Sequence, residues 1–361
     1  MRTSGGRMNS IAMTNSPRVI FASGALSQVA NEIAELNRKR ILLISDESAS
    51  THATRLQTEL GALVIHWINH VVVHVPDDFS SPIADLVRRE EIDLVLTIGG
   101  GSATGLGKII ALDCAIDLLA IPTTYAGSEM TSIWGRTNSN EKTTGRNPAV
   151  LPKTTIYDPE LTLSLPYLVS VNSGMNAIAH AVEALYAPEL NSVIRNAALD
   201  GITIFASGLR GIRENINNLN ARTDLLRGSM LCGFALNNST MGIHHKICHT
   251  LGGMFDLPHA PMHSSVLPWA VQYNQDFAKT QLNEVAEVLS AHSAAEGLWD
   301  LANEVGAQTS LQELGYPLDK SEEVASVISS AKYVNPRPFN HDGILELLSN
   351  AYKGSRPDDE S

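Results

Sequence analysis

Two patterns of apolar residues divide the chain near its middle. In the first half, short apolar runs at residues 40–45 and 93–98 alternate with segments of helical period such as residues 51–60. Continuous apolar runs are typical of parallel strands buried on both faces, so this alternation predicts an α/β unit. After Pro166 the apolar positions follow helical spacing alone, which predicts an all-α second half.

This change of pattern predicts two domains, as does a length of 361 residues, which exceeds one ordinary core. We expect residues 18–160 to form the α/β domain and residues 161–361 to form the α-helical domain. The polar start, residues 1–17, is expected to be poorly ordered.

Composition narrows the class of protein. The formal net charge of −12 argues against nucleic acid as a partner, because phosphate contacts require a basic surface. The three cysteines are an odd number in apolar surroundings, as expected for reduced thiols in a cytoplasmic protein. No apolar run reaches the roughly 18 residues of a membrane span, and the start lacks the apolar segment of a secretory signal.

A glycine-rich turn, GGGSATGLGK at residues 99–108, follows one predicted strand and precedes a helix. Backbone N–H groups in such a turn approach a phosphate closely, and the helix N terminus favours an anion. The turn matches neither the Rossmann fingerprint nor a Walker loop. It indicates a nucleotide site, with a tight structural turn as the alternative.

Two further loops carry groups suited to ligands. Thr123, Thr124 and Ser128 could hydrogen-bond a phosphate or a carboxamide, although ordinary turn chemistry gives a similar composition. Lys142 and Arg146, in KTTGR, could meet a carboxylate or lie at an exposed hairpin tip.

The largest group of candidate site residues lies in residues 242–268, which hold five of the twelve histidines. His245 and His249 share one face of a predicted helix that ends at the following glycine pair, and His259 lies in a predicted loop. The HxxxH spacing does not indicate a zinc protease, because Lys246 stands where the general base Glu would be required.

A second helical segment, residues 173–187, places Asn176 and His180 four residues apart on one face. Two such helices could face each other across one cleft. The alternative is a set of surface or core histidines held by hydrogen bonds.

Five blocks of this sequence resemble the maleylacetate reductases, a branch of the iron-containing alcohol dehydrogenase superfamily. The likeness extends from about residue 18 to beyond residue 274, and the blocks are GGGSATGLGK, AIPTTYAGSEMT, KTTGRNPAVLPKTTIYDPELT, SGMNAIAHAVEALYA and HHKICHTLGGMFDLPHAPMHSSVLP. The resemblance implies the fold shared with dehydroquinate synthase, in which a nucleotide-binding α/β domain is joined to an all-α C-terminal domain across a cleft.

The resemblance also implies an activity, the NADH-dependent reduction of the C=C bond of maleylacetate to 3-oxoadipate in the degradation of aromatic compounds. NADPH is expected as a second accepted donor. The implied partners are a small dicarboxylate and a second copy of the chain in a cytoplasmic homodimer, with no nucleic acid and no membrane.

Carried over by resemblance, the cofactor residues fall on the glycine turn and two neighbouring loops. Asp46 would contact the adenosine ribose, where a carboxylate accepts from the 2′-OH and repels a 2′-phosphate, so NADH is the preferred donor. The pyrophosphate would contact Gly99, Gly100, Gly101 and Ser102. The nicotinamide half would contact Thr123, Thr124 and Ser128.

The predicted reaction stabilises an enolate and protonates it. His180, His245 and His259 are expected to donate hydrogen bonds to the enolate oxygen, and His249 is the candidate proton donor or nicotinamide-side residue. The candidates for binding the substrate are Lys246, Arg146 and Lys142, supported by His244, Tyr125 and Asn176.

Superfamily members bind a divalent metal at positions that fall here on Asn176, His180, His245 and His259. Asn176 stands in place of a carboxylate, and Gly105 in place of an Asp of many metal-dependent relatives. We therefore expect no required metal. The alternatives are a metal-dependent alcohol dehydrogenase or aldehyde reductase, a glycerol dehydrogenase or dehydroquinate-synthase-like relative, and a non-enzymatic nucleotide sensor.

Overall fold

The computed structural model describes residues 16–357, except residues 74, 139 and 140 and the side chains of residues 141 and 142. The strands are β1 Arg18–Phe21, β2 Ile41–Ser45, β3 Val64–Ile68, β4 Leu94–Gly99, β5 Asp117–Pro122, β6 Ile133–Asn138, β7 Glu141–Arg146 and β8 Thr154–Tyr157. Six of them form a parallel sheet in the order β1-β8-β5-β4-β2-β3, and β6 and β7 form a separate antiparallel hairpin.

Helices cover both faces of the parallel sheet. Successive residues of β2 alternate between two apolar cores, with Leu43 in one and Leu42 in the other, as the pleat of a strand requires. The helices of this half are α1 Val29–Glu35, α2 Ser50–Leu60, α3 Asp77–Arg89 and α4 Gly101–Cys114. The α/β architecture predicted from the apolar runs is therefore confirmed.

The second half is helical, as its periodicity predicts. Its helices are α5 Tyr167–Leu185, α6 Ser192–Glu214, α7 Leu219–Asn237, α8 Ile243–Phe255, α9 His259–Asn274, α10 Lys279–Leu289, α11 Ala294–Glu304, α12 Ser321–Ser330 and α13 His341–Lys353. The core of this half is centred on α5, nearly all of which is buried, and α5 packs against α6, α7 and α9.

Two local predictions in the histidine segment are wrong. Helix α8 continues through Gly252 and Gly253 and ends only at Asp256, which adopts the left-handed conformation. His259 does not lie in a loop but begins α9, directly after Pro258. Glycine is tolerated inside a helix at a cost of about 1 kcal/mol, which tertiary packing around α8 overrides.

The predicted disorder of residues 1–17 falls almost wholly outside the described residues. None of the helices that the structure describes is long and apolar enough to cross a membrane.

Candidate active site

One edge of the sheet collects the residues expected to bind a nucleotide. Strands β2, β4 and β5 are neighbours and parallel, so their carboxyl ends bring Asp46, Gly99 and Thr123 to the same edge. The Thr123 N–H donates to the Gly99 carbonyl over 2.9 Å, which joins two of these ends directly. Nucleotides bind at this edge of open parallel sheets.

The glycine turn is shaped around the Asp46 carboxylate. Gly99 has φ +151°, and a side chain on it would collide with Asp46 Oδ2. The Gly100 N–H donates to Asp46 Oδ2 over 2.7 Å, and α4 begins at Gly101. Ser102 follows in the first turn of α4. The turn thus offers a helix N terminus to a phosphate, with a carboxylate beside it.

A buried lysine fixes the loop that follows β5. Lys108 of α4 donates from Nζ to Ser128 O, Thr131 Oγ1 and Ile133 O over 2.6–2.8 Å. All three acceptors are neutral, and burial lowers the Lys108 pKa to about 7. The hydroxyl of Thr123 is buried without a partner in the described chain. The loop is rigidly held, and Thr123 leaves one polar group free for a ligand.

This loop also contacts the helical half. The Tyr125 N–H donates to Ser173 Oγ on α5 over 3.1 Å. Gly127 and Gly233 of α7 approach so closely that a side chain on Gly233 would overlap Gly127 O. Ser173 lies three residues before Asn176, so the loop ends beside the helix that carries the histidine site.

Three helices bring the histidine cluster together. Asn176 and His180 come from α5, His245 from α8 and His263 from α9, and all four are buried. The rings of His180 and His245 stack at 4.9 Å, and those of His245 and His263 are 5.0 Å apart. Asn176 Oδ1, His180 Nδ1, His245 Nε2 and His263 Nε2 have no hydrogen-bond partner within the described residues. In native proteins such buried polar atoms are satisfied by a bound ion, a ligand or an ordered water.

Two further histidines lie at the exposed rim of this cluster. The ring of His259 is 4.4 Å from that of His263, and the ring of His249 is 6.0 Å from that of His245. Burial, and then the neighbouring histidines, hold the pKa of His180 well below its ordinary value. His180 is therefore neutral near pH 7 and can act as a ligand or hydrogen-bonding group.

Sequence reasoning missed two residues of the cluster, Glu183 and His263. Glu183 is fully buried on α5, and its Oε2 accepts from His245 Nδ1 at 2.6 Å. His263 Nδ1 is 2.9 Å from His244 Nε2, so these two rings share a hydrogen bond. The signal for Glu183 was present, since it lies seven residues after Asn176 and therefore on the same face of a helix.

Several predicted substrate residues are engaged elsewhere in the fold. Arg146 donates over 2.5–3.1 Å to the carbonyls of Leu236, Asn237 and Ser239, where it caps the end of α7. The Tyr125 hydroxyl is fully buried and accepts from Arg222. We therefore reassign Arg146 and Tyr125 to structural roles.

Of the four other candidates, Asn176 belongs to the histidine cluster, and the remaining three differ in what surrounds them. His244 is fully buried behind the cluster and bonds to His263. The Lys246 ammonium lies 5.9 Å from the ring centre of Tyr333, in a cation–π contact. The side chain of Lys142 lies outside the described residues. Among the substrate-binding candidates, Lys246 is the cationic residue that lies on α8, the helix that carries His245.

The donor set of the cluster fits a divalent metal. The free atoms are imidazole nitrogens and one amide oxygen, and neutral imidazole suits zinc and iron. His245 already donates its other ring N–H to a carboxylate, as metal-bound histidines do. The nearby atoms of His244, Cys248 and His263 also lie within 4.8 Å of one another, but the two rings are joined by a hydrogen bond.

Family models match the two halves of the chain separately. Residues 16–159 match the model described as iron-containing alcohol dehydrogenase, and residues 170–352 match the C-terminal model of the Fe-containing alcohol dehydrogenase family. The expectation that no metal is required is wrong on this finding, because the family is an iron-containing one. Asn176 removes one negative charge from the site, but it leaves an oxygen donor beside three imidazoles.

Individual relatives are similar over almost their whole length. The chain is 45% identical over 341 residues to a maleylacetate reductase of Burkholderia cepacia, covering 94% of this chain and 97% of that protein. It is 41% identical to maleylacetate reductase 1 of Rhodococcus opacus, covering 97% and 99%. The solved maleylacetate reductase of Rhizobium sp. strain MTP-10005 superposes with a TM-score of 0.93 at 39% identity, covering 97% and 100%. The chain therefore belongs to the iron-containing alcohol dehydrogenase family, in the branch of the maleylacetate reductases.

Proposed function

We propose that this protein reduces the C=C bond of maleylacetate with NADH and forms 3-oxoadipate, within the degradation of aromatic compounds. The observation that carries the proposal is the 45% identity to a maleylacetate reductase that spans 94% of this chain. The site supports it, because one edge is suited to a dinucleotide and three helices beside it present imidazole nitrogens that have no partner within the described residues.

The chemistry begins with hydride transfer from the nicotinamide. Hydride adds to the carbon β to the ketone, and the electron pair of the C=C bond moves toward the ketone oxygen as an enolate. A proton is then delivered to the carbon next to the ketone, which gives 3-oxoadipate and NAD⁺. The fixed loop that carries Thr123, Thr124 and Ser128 would hold the nicotinamide beside α5.

The chain's own residues would position and protonate the enolate. His180 and His245 reach the cleft from facing helices, and His249 lies at the exposed rim, where it could exchange a proton with water. Lys246 would meet one substrate carboxylate.

A divalent metal would be held by His180 and His245 with the oxygen of Asn176, and by His259, whose ring lies 4.4 Å from that of His263 at the rim of the cluster. Once bound, such a metal polarises a carbonyl oxygen and stabilises the negative charge that develops there. The neutral state of His180 is the state that a metal ligand needs.

The remaining features of the proposal concern cofactor choice and assembly. Asp46, beside the glycine turn, would favour NADH over NADPH. We retain the division into an α/β domain at residues 18–160 and a helical domain at residues 161–361, and we propose a cytoplasmic homodimer without a nucleic-acid partner.

The test is an assay of the metal-loaded enzyme with freshly generated maleylacetate, in which NADH absorbance and 3-oxoadipate are followed together. Equal amounts of NADH consumed and 3-oxoadipate formed are expected, and chelation should abolish both. Turnover with simple aldehydes and none with maleylacetate would instead favour the alternative, a metal-dependent alcohol dehydrogenase or aldehyde reductase.

A further inference from the structure

Glu183 is a carboxylate placed behind the histidine cluster, and it contacts α8 at three points. Its side chain is fully buried on α5, one helical turn beyond His180. Oε2 accepts from His245 Nδ1 at 2.6 Å and from the Gly242 N–H at 3.0 Å, and Oε1 accepts from the His244 N–H at 2.9 Å. One side chain therefore binds the N–H of the N-cap residue of α8, one N–H of its first turn, and the ring that α8 presents.

The N terminus of α8 suits an ionised carboxylate. Gly242 and His244 offer N–H groups that have no acceptor inside the helix, and the helix dipole adds a favourable field for an anion. A buried carboxylate is costly unless its oxygens are hydrogen-bonded, and here both are. Gly242 permits the approach, because a side chain on it would come within 3.1 Å of Glu183 Oε1.

The contact with His245 decides which ring nitrogen carries the proton. An ionised carboxylate only accepts hydrogen bonds, so at 2.6 Å the proton lies on His245 Nδ1. In the neutral ring His245 Nε2 then keeps a lone pair, and this atom is buried without a partner in the described chain. We infer that Glu183 is a positioning residue that fixes His245 in the Nδ1–H form and aims the Nε2 lone pair into the cleft as a metal ligand.

This inference depends on the metal that the cluster fits and not on the identity of the substrate. It is therefore tested on metal binding and on the ring itself, without turnover. If the protein binds metal but does not reduce maleylacetate, the proposed function fails while this inference stands.

The first measurement is the affinity of the metal-free protein for cobalt(II), followed by its visible absorption. Glu183→Gln keeps the shape of the side chain but removes its charge, and it should weaken cobalt binding by roughly 10–100-fold. Glu183→Asp keeps the charge with a shorter reach, and it should lose less. An affinity of Glu183→Gln within about twofold of wild type would overturn the inference.

A matched control lies six residues further along the chain. Glu189 accepts hydrogen bonds from the backbone and hydroxyl of Thr240, so it anchors the loop that leads into α8 through a residue that is not a histidine. Glu189→Gln should leave cobalt affinity unchanged. An equal loss in both variants would mean that Glu183 merely anchors this loop.

The second measurement reads the ring directly. In ¹⁵N-histidine-labelled, metal-free wild type, with His245 assigned by its loss in His245→Gln, we expect a protonated Nδ1 and an unprotonated Nε2. The opposite form would contradict the inference even if Glu183→Gln failed to fold. In a folded Glu183→Gln, the proton should move to Nε2.

Discussion

The two sides of the proposed cleft differ in what supplies their chemistry. The nucleotide edge is made largely of backbone: glycines that tolerate no side chain, a helix N terminus, and a loop held by one buried lysine. The histidine cluster is made of side chains from three helices, with buried atoms that have no partner in the described chain. In the proposed function the first side would bind the cofactor by its shape and the second would bind metal and substrate by the chemistry of its side chains, so substitutions should affect the two sides in separable ways.

The largest effect is expected in the histidine cluster. His245→Ala removes a buried ring that faces His180, and it should lower kcat by roughly 10²–10³-fold, the size of one lost electrostatic stabiliser. The affinity for NADH, measured by fluorescence titration, should stay within about twofold. A parallel loss of NADH affinity would show that the two sides are not separable.

Substitutions on the nucleotide side should instead weaken the binding of NADH. Gly99→Ala places a carbon against Asp46 Oδ2 at φ +151° and should weaken NADH binding by roughly tenfold or more, since such strain costs about 1–3 kcal/mol. Gly105→Ala in the following helix, α4, is the matched control, because its added carbon meets Val75 at an ordinary 3.5 Å. Equal NADH affinity in both variants would contradict the shape argument.

The preference for NADH over NADPH should change by a smaller factor when Asp46 is replaced. Asp46→Asn removes the charge that would repel a 2′-phosphate while keeping an oxygen for the Gly100 N–H. The ratio of kcat/KM for NADH over NADPH should fall by roughly tenfold, which corresponds to about 1.4 kcal/mol. An unchanged ratio would remove Asp46 from cofactor recognition.

A substitution at Arg146 distinguishes a structural role of this residue from a role in binding the substrate. Arg146→Gln loses donors to the carbonyls at the end of α7 and should lower the free energy of unfolding by about 1–3 kcal/mol. The KM for maleylacetate should not change. A tenfold rise in KM without loss of stability would return Arg146 to the substrate site.

The remaining effect is a pH dependence at Lys108. Its folded pKa is about 7 against an ordinary 10.5, so between these values the unfolded chain binds more protons. The contribution of Lys108 to the free energy of unfolding should therefore rise with pH, by at most about 1.4 kcal/mol per pH unit. Urea titrations should show that the free energy of unfolding of wild type, relative to that of Lys108→Met, is higher at pH 9 than at pH 7. A difference in the free energy of unfolding that does not change with pH would contradict the lowered pKa of Lys108.

The difference between the two sides also explains what the sequence could reveal. The glycine turn and the strand before it are contiguous, so residues 94–108 were sufficient to predict a phosphate-binding edge. The sheet and the helical half followed from apolar period in the same way.

The histidine cluster needed more than local spacing. Helical period placed Asn176 with His180, but the carboxylate of Glu183 and the pairing of His244 with His263 depend on how α5, α8 and α9 pack. The roles of Arg146 and Tyr125 were equally inaccessible, because their partners lie about 90 or more residues away.

The central claim is that the nucleotide edge delivers hydride to the C=C bond while the histidine side stabilises the enolate. Reduction of maleylacetate with NADH deuterated at the transferring position tests it most directly, by NMR of the product. The account predicts 3-oxoadipate with one deuterium on the carbon β to the ketone, next to a carboxylate. Deuterium on the carbon that bears oxygen, in an alcohol product, would contradict it and identify a carbonyl reductase.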